Sequence, residues 1–301
     1  MMSTVTIAVV QMESKLGRHT ANMRRAERYV AEAVGRGATL VCLPEAFLTS
    51  GNILEVAEVA VPVPGPETDR LGRLAAEASI HLVAGLLERG DDGKYYSTSV
   101  LFGPDGKLIG RYRRVHCHEL ESRYLSSGSE YPVFDVEFGR VGLLQGYDIN
   151  FPEVAREYYR RGVDLLVCSA LVPEMFGYVA NLRLPARAVD SECVIVFASG
   201  VGTNLYAGFG YMGCSQVVAD PLFLEAEQFD FVDGDERMVF LEKGEGVGVV
   251  EVDLERMRRY RKSATLRADL QPATYWRALE GAGAPHAGAP HAGAPHTGER
   301  E

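Results

Sequence analysis

Three short stretches of this 301-residue chain hold residues able to do chemistry. In LVCLPEAFLTSG an apolar run ends on Pro44 and presents Glu45 at its carboxyl end, the edge of an α/β sheet where ligands usually bind. A carboxylate there is a candidate general base; the plain alternative is a solvated or helix-capping side chain. In RYRRVHCHELESRYLSSG the ionisable residues Arg113, Arg114, His116, Cys117, His118, Glu119 and Glu121 crowd together after a strand, a density that suits a site that shifts pKa values. The third stretch, LLQGYDINFPE, reads as a strand that breaks at Gln145 and Gly146 and then meets the helix-start signals Asp148, Asn150 and Pro152. Its first-turn N–H groups are candidates to hold an oxyanion or anion. His116, Cys117 and His118 invite a metal, yet successive residues of an extended segment point to opposite faces and no partner cluster stands elsewhere. No metal and no cofactor are expected.

These segments need elements to position them. Strand-like runs fall at Val5 to Val10, Thr39 to Leu43, His81 to Leu87, Tyr96 to Phe102, Gly142 to Leu144, Leu165 to Ser169 and Val194 to Ala198. Helical periodicity fills Thr20 to Val34, Thr68 to Ala78 and Glu153 to Arg161, which makes this an α/β chain. The stretches His81 to Ile109 and Phe209 to Glu251 read as hairpins, with DDGK and PDGK as turn signals in the first, so the sheets should be mixed.

Acidic residues outnumber basic ones 41 to 31, and no Lys/Arg block stands ready to neutralise phosphates, so nucleic acid is not an expected partner. The N-terminus lacks a signal-peptide pattern and no apolar run reaches membrane-spanning length, which predicts a cytoplasmic protein without a membrane partner. Five scattered cysteines without a CxxC pair predict reduced thiols. Cys42, Cys168 and Cys193 lie in or beside apolar strands and read as core, and Cys214 reads as structural. A single domain is expected over residues 1–280. Residues 281–301 carry a repeated GAPHA unit and are expected to be a disordered tail, whose His286, His291 and His296 offer at most weak metal binding.

Taken in order, the three stretches resemble the nitrilase, or carbon–nitrogen hydrolase, superfamily. LPEAF is similar to its Glu motif, with Glu45 in the place of the general base. Tyr112 to Cys117 is similar to its Lys motif of the type YRKxHL, with Glu121 in the place of a second active-site glutamate. LESRYLSSG is most similar to the carbamoyl-amino-acid amidohydrolase branch. Gly142 to Glu153 is similar to its Cys motif GxxxCYDxxFPE and keeps Tyr147, Asp148, Phe151, Pro152 and Glu153. PARAVDSECVIVFASGVGTN, GFGYMGCSQVVADP and VEVDLERMRRYR resemble later segments. The resemblance implies a four-layer α-β-β-α sandwich with mixed sheets, assembled into homodimers or larger oligomers, acting on a small-molecule metabolite.

The departures carry the functional question. The resemblance places Gly146 at the cysteine and Arg114 at the lysine. Glycine forms no thioester, and arginine brings a planar, permanently charged fork suited to a carboxylate or phosphate. The expected site is Glu45, Arg114 and Glu121, shaped by Gln145, Tyr147, Asp148, His116 and Cys117, with room for a water beside Gly146. Several readings remain open. One is a repurposed enzyme doing non-covalent hydrolysis, elimination or cyclisation on an amide-like or ureido-like metabolite. Another is an inactive relative that binds a metabolite or partner. A third uses a displaced nucleophile such as Cys117. A thiol removed by engineering fits less well, because trapping a substrate needs one change and here two positions differ.

Overall fold

The computed structural model describes residues 4–205, 208–220, 223, 237–264, 269–271 and 274. One compact unit runs as far as Tyr260. The GAPHA repeats lie outside the described residues.

Two sheets form the centre. The first is ordered β15 (Gly246–Asp253), β1 (Thr4–Gln11), β2 (Leu40–Cys42), β4 (His81–Arg89), β5 (Tyr95–Phe102) and β6 (Leu108–Arg113), with β3 (Val61–Pro62) paired to β4. The second is ordered β14 (Arg237–Phe240), β13 (Gln216–Val218), β10 (Val194–Ser199), β9 (Leu165–Ala170), β8 (Gly139–Gln145) and β7 (Val133–Val136). In each sheet three neighbours are parallel, β1-β2-β4 and β8-β9-β10, and antiparallel strands flank them. A separate ribbon pairs β11 (Val201–Asn204) with β12 (Phe209–Met212).

The layering follows from strand alternation. Val5, Ile7 and Val9 of β1 and Leu40 and Cys42 of β2 join the core cluster that also contains Val141, Leu143, Leu165 and Val167 of the opposite sheet. Their neighbours Ala8, Val10 and Val41 instead pack with Met23, Ala26 and Val30 of α1 (His19–Gly35) and Leu71 and Ala75 of α3 (Pro66–Ala78). A strand buried on both faces reads as continuous apolar sequence, as Ile7 to Val10 of β1 and Leu165 to Cys168 of β9 do. The second sheet is covered by α4 (Pro152–Arg160) and α5 (Leu184–Ser191), through Val154, Tyr158, Leu184 and Ala188. The order of layers is therefore α-β-β-α.

The expected strands and helices all form, with ends shifted by a few residues. The β4-β5-β6 meander is as read, with turns at Asp91 to Lys94 and Pro104 to Lys107. The later hairpin reading is corrected in part. β13 pairs with β14, but β15 crosses to the other sheet and pairs with β1 along eight residues, Thr4 opposite Asp253 through Gln11 opposite Gly246. None of the five cysteines forms a disulfide, and Cys42, Cys168 and Cys193 are buried as core. Among the described residues no helix is long and apolar enough to cross a membrane.

Candidate active site

Glu45 leaves the carboxyl end of β2 through Pro44 and is anchored to both sheets. Its N–H donates to Ala170 O at the end of β9 (3.3 Å), and Gly85 N on β4 donates to Pro44 O (3.2 Å). Gly85 is required by this approach, since a Cβ there would stand 2.5 Å from Glu45 Cα and 3.0 Å from Gln145 Nε2. The next residue, Ala46, takes the left-handed conformation at φ 47°, a strain of about 1–2 kcal/mol that turns the chain away and leaves the Glu45 side chain in the interior.

Both hydrogen bonds to the Glu45 carboxyl converge on one oxygen. Ser97 Oγ donates to Oε1 at 2.6 Å and Arg114 Nη1 donates to the same atom at 3.1 Å. Behind Ser97 stands Gln145, whose Nε2 donates to Ser97 Oγ at 3.1 Å, and behind that Ser99, whose Oγ lies 2.5 Å from Gln145 Oε1 and 3.0 Å from Leu144 O. Burial is the dominant influence on Glu45 and raises its carboxyl. Arg114 opposes, Glu121 adds to the rise, the Ser97 bond opposes and Asp148 adds, leaving the group at about 7. Glu45 therefore exchanges its proton near neutrality.

Arg114 is the first residue past β6, fixed by its N–H to Ser97 O (2.8 Å) and by Gly128 N to its own carbonyl (2.8 Å). Its guanidinium is 2% exposed and lies between two carboxylates, Glu45 on one side and Glu121 Oε2 at 2.8 Å from Nη2 on the other. Burial works against the charge, but Glu45 and Glu121 outweigh it and hold the group above its ordinary value. The Nη2 contact with Glu121 is a close ion pair, whereas Arg114 Nε has no acceptor among the described residues. The Nε–H can donate to a carbonyl oxygen. The carboxylates that the Arg114 fork meets in the structure are the protein's own, Glu45 and Glu121, which counter its charge.

Gly146 follows the last residue of β8 and opens a 3-10 turn, Gly146–Asn150, at φ 43°. A Cβ on it would press against Glu45 Oε2 and stand 3.0 Å from Glu45 Cδ. The expected water-sized space beside Gly146 is thus filled by the Glu45 carboxyl, which leans in because no side chain opposes it. The Pro-started helix read from the sequence forms. The 3-10 turn intervenes and α4 begins only at Pro152, so its first-turn N–H groups do not belong to residues 146–148.

Asp148 and His116 shape the site from below. Fully buried, Asp148 accepts from Tyr112 Oη (2.5 Å), Val115 N (3.3 Å), His116 N (2.9 Å) and His116 Nδ1 (2.7 Å). These bonds fasten the loop carrying Arg114 to the turn carrying Gly146. The His116 ring stacks on Phe151 at 3.7 Å, and Tyr147 meets His118 and Phe151 edge-on. Glu121 takes a second bond from His118 N (3.1 Å) and is the more open of the two glutamates. Cys117 is half-buried, with Ser127 Oγ 3.8 Å from its sulfur. His116 is committed to Asp148.

Three participants were not read from the sequence. Ser97 and Ser99 sit two apart on the inter-sheet face of β5, and that spacing of small polar residues on an otherwise apolar face was the available signal. Tyr211 on β12 accepts from Asn204 Nδ2 at 2.9 Å. Burial, offset by the Asn204 bond and reinforced by Glu45 and Glu121, pushes its hydroxyl up to about 12, so it stays protonated beside the two carboxylates. Among the described residues no group of His, Cys, Asp and Glu is arranged to hold a metal ion.

Similarity to known proteins agrees with this architecture. The carbon-nitrogen hydrolase family profile matches residues 6–262. Human omega-amidase NIT2 is 34% identical over 212 residues, covering 66% of this chain and 75% of that protein. The zebrafish (Danio rerio) omega-amidase NIT2 is 35% identical over 227 residues, covering 70% and 80%. Among solved structures, Saccharomyces cerevisiae Nit3, a member of branch 10 of the nitrilase superfamily, superposes with a TM-score of 0.76 at 28% identity, covering 87% of this chain and 94% of that one. The NitN amidase of a Nesterenkonia species has the same fold, with a TM-score of 0.76 at 23% identity, covering 91% and 100%. With its α-β-β-α layers and a family match over residues 6–262, the chain belongs to the carbon–nitrogen hydrolase family.

Proposed function

We propose that this family member has lost the cysteine nucleophile at Gly146 and acts on a small amide-like or ureido-like metabolite by acid–base chemistry without a covalent intermediate. The observation that carries the reading is the pairing of a Glu45 carboxyl poised at about 7 with the unaccepted Nε donor of Arg114. That the similar proteins include omega-amidases supports the carboxamide class of substrate.

In this mechanism the substrate carbonyl oxygen accepts from Arg114. Glu45 Oε2 takes a proton from water as the water oxygen bonds to the carbonyl carbon, and the π electrons move to the oxygen facing Arg114. Collapse of the tetrahedral species breaks the C–N bond while Glu45 returns the proton to the leaving nitrogen. The same base serves elimination or cyclisation when the nucleophile lies within the substrate. Substrate must first draw the Glu45 carboxyl off Gly146, since the two now touch.

The test supplies ω-amides, simple carboxamides and ureido acids and follows them by mass spectrometry, with Glu45→Gln alongside. Turnover should fall on the order of 10²-fold or more in the variant. Equal turnover by both proteins, or an acyl adduct trapped on Cys117, overturns the reading. A second reading has its own support. Arg114 is already paired with two carboxylates and the space at Gly146 is filled, which suits a protein that binds a metabolite and leaves it unchanged. Tight binding with quantitative recovery of every compound identifies that case.

A further inference from the structure

The hydrogen-bond chain behind Glu45 runs in one direction. Ser99 Oγ lies close to Gln145 Oε1, Gln145 Nε2 donates to Ser97 Oγ, and Ser97 Oγ donates to Glu45 Oε1. With the amide so placed, the Ser97 lone pair is taken by an N–H and its only proton must point at Glu45. Had the amide been reversed, its oxygen would draw that proton away. Ser97 and Ser99 stand on β5 and Gln145 is the last residue of β8, so the chain bridges the two sheets on rigid strands. Gln145 and Ser99 are 0% exposed and Ser97 2%, which shields the chain from competing solvent.

We propose that Gln145, fixed by Ser99 and acting through Ser97, is a positioning residue that directs the exchangeable proton of Glu45 to Oε2. Oε1 already receives Ser97 and Arg114, so a proton there would collide with two donors. Oε2 is the oxygen that faces Gly146. The inference rests on the reading of Glu45 as the proton-carrying group and adds the residues that determine which of its atoms does the carrying. The chain also stabilises the ionised form, because each link points donor to acceptor toward the carboxylate. The other groups that bear on Glu45 are Arg114 and Glu121 from the segment after β6, Asp148 from the 3-10 turn, Tyr211 from β12 and Cys168 from β9. Of these only Arg114 favours ionisation. The Ser97 chain shares that task.

The test titrates Glu45 directly in protein carrying ¹³C-labelled glutamate carboxyls, with Glu45→Gln identifying the resonance. Ser97→Ala and Gln145→Leu should each move the midpoint upward, by about one pH unit for the serine and less for the glutamine. Ser97→Thr retains the hydroxyl and should restore the wild-type midpoint, an outcome that a purely packing role for Ser97 does not give. Should Gln145→Leu fail to fold, Ser99→Ala releases the amide without touching any neighbour of Glu45 and should still raise the midpoint. An unchanged midpoint in folded Ser97→Ala and Ser99→Ala, or a Ser97→Thr protein that titrates like Ser97→Ala, overturns the proposal. No substrate enters the titration, so a failure here is distinct from a failure to find turnover.

Discussion

The Glu45 carboxyl occupies the place where a side chain on Gly146 would begin: Cδ stands 3.0 Å from the ideal Cβ position and Oε2 closer still. Any residue larger than glycine must push the carboxyl out of contact with that corner. The same residue has φ 43°, where a Cβ is disfavoured by about 1–2 kcal/mol before any collision is counted.

Gly146→Ala should therefore destabilise the protein by more than the backbone preference, on the order of 2–4 kcal/mol in urea unfolding. In a Glu45→Ala background the collision is gone, and the penalty should shrink to the backbone part. Additive penalties in that double-mutant cycle would mean that the two residues do not compete for the space.

Stability should depend on pH through Glu45. Its folded value of about 7 lies above the ordinary carboxyl value of 4.5, because burial disfavours the charge more than Arg114 and Ser97 favour it. Between those two values the folded chain holds a proton that the unfolded chain has lost. The contribution is then fully present below about 4.5 and is lost as pH rises through 7, on the order of 2–3 kcal/mol. Unfolding free energies of wild type and Glu45→Gln, measured from pH 5 to 8, should diverge with wild type falling relative to the variant. Parallel curves would place the carboxyl outside this range.

Much of this arrangement was legible in the sequence. Apolar runs fixed most strands because doubly buried strands carry little polar sequence, and Pro44 after one such run marked Glu45 at a strand end. The pairing of β15 with β1 was not legible, since nothing local in Gly246 to Asp253 names a partner at the opposite end of the chain. Ser97 and Ser99 were passed over because serine in a strand is commonplace; only the opposing sheet, bringing Gln145 against them, gives them a role. The space beside Gly146 was misread for a related reason. Sequence registers the absence of a side chain there, whereas the direction in which Glu45 leans depends on Ser97 and Arg114 holding its other oxygen.

Removing the Arg114 charge should move Glu45 in a known direction. Arg114 is the strongest influence that lowers the Glu45 value, so Arg114→Met should carry it above 7 and leave the carboxyl neutral across the physiological range. Protonation then spares the fold the full cost of an unpaired buried charge. The variant should lose about 1–3 kcal/mol, less than the 3–5 kcal/mol typical of breaking a buried ion pair, and the loss should grow with pH. Urea titrations at pH 5 and pH 8 read both effects. A pH-independent loss would show that Arg114 acts by packing alone.

Asp148 offers a test of whether the Arg114 segment is held from below. Its carboxylate collects Tyr112 Oη, Val115 N, His116 N and His116 Nδ1, and it has no exposure to replace any of them with bulk water. Asp148→Asn keeps the volume and one acceptor oxygen, but its amide N–H groups would face Tyr112 or His116, donor against donor. A cost of about 2–3 kcal/mol is expected, concentrated in the residues that lose their anchor. Amide hydrogen exchange should accelerate at Val115, His116 and their neighbours up to Glu121, while β5 and β8 retain their protection. Unaltered exchange across residues 114–121 would instead assign the placement of Arg114 to Glu45, Glu121 and the Ser97 backbone alone.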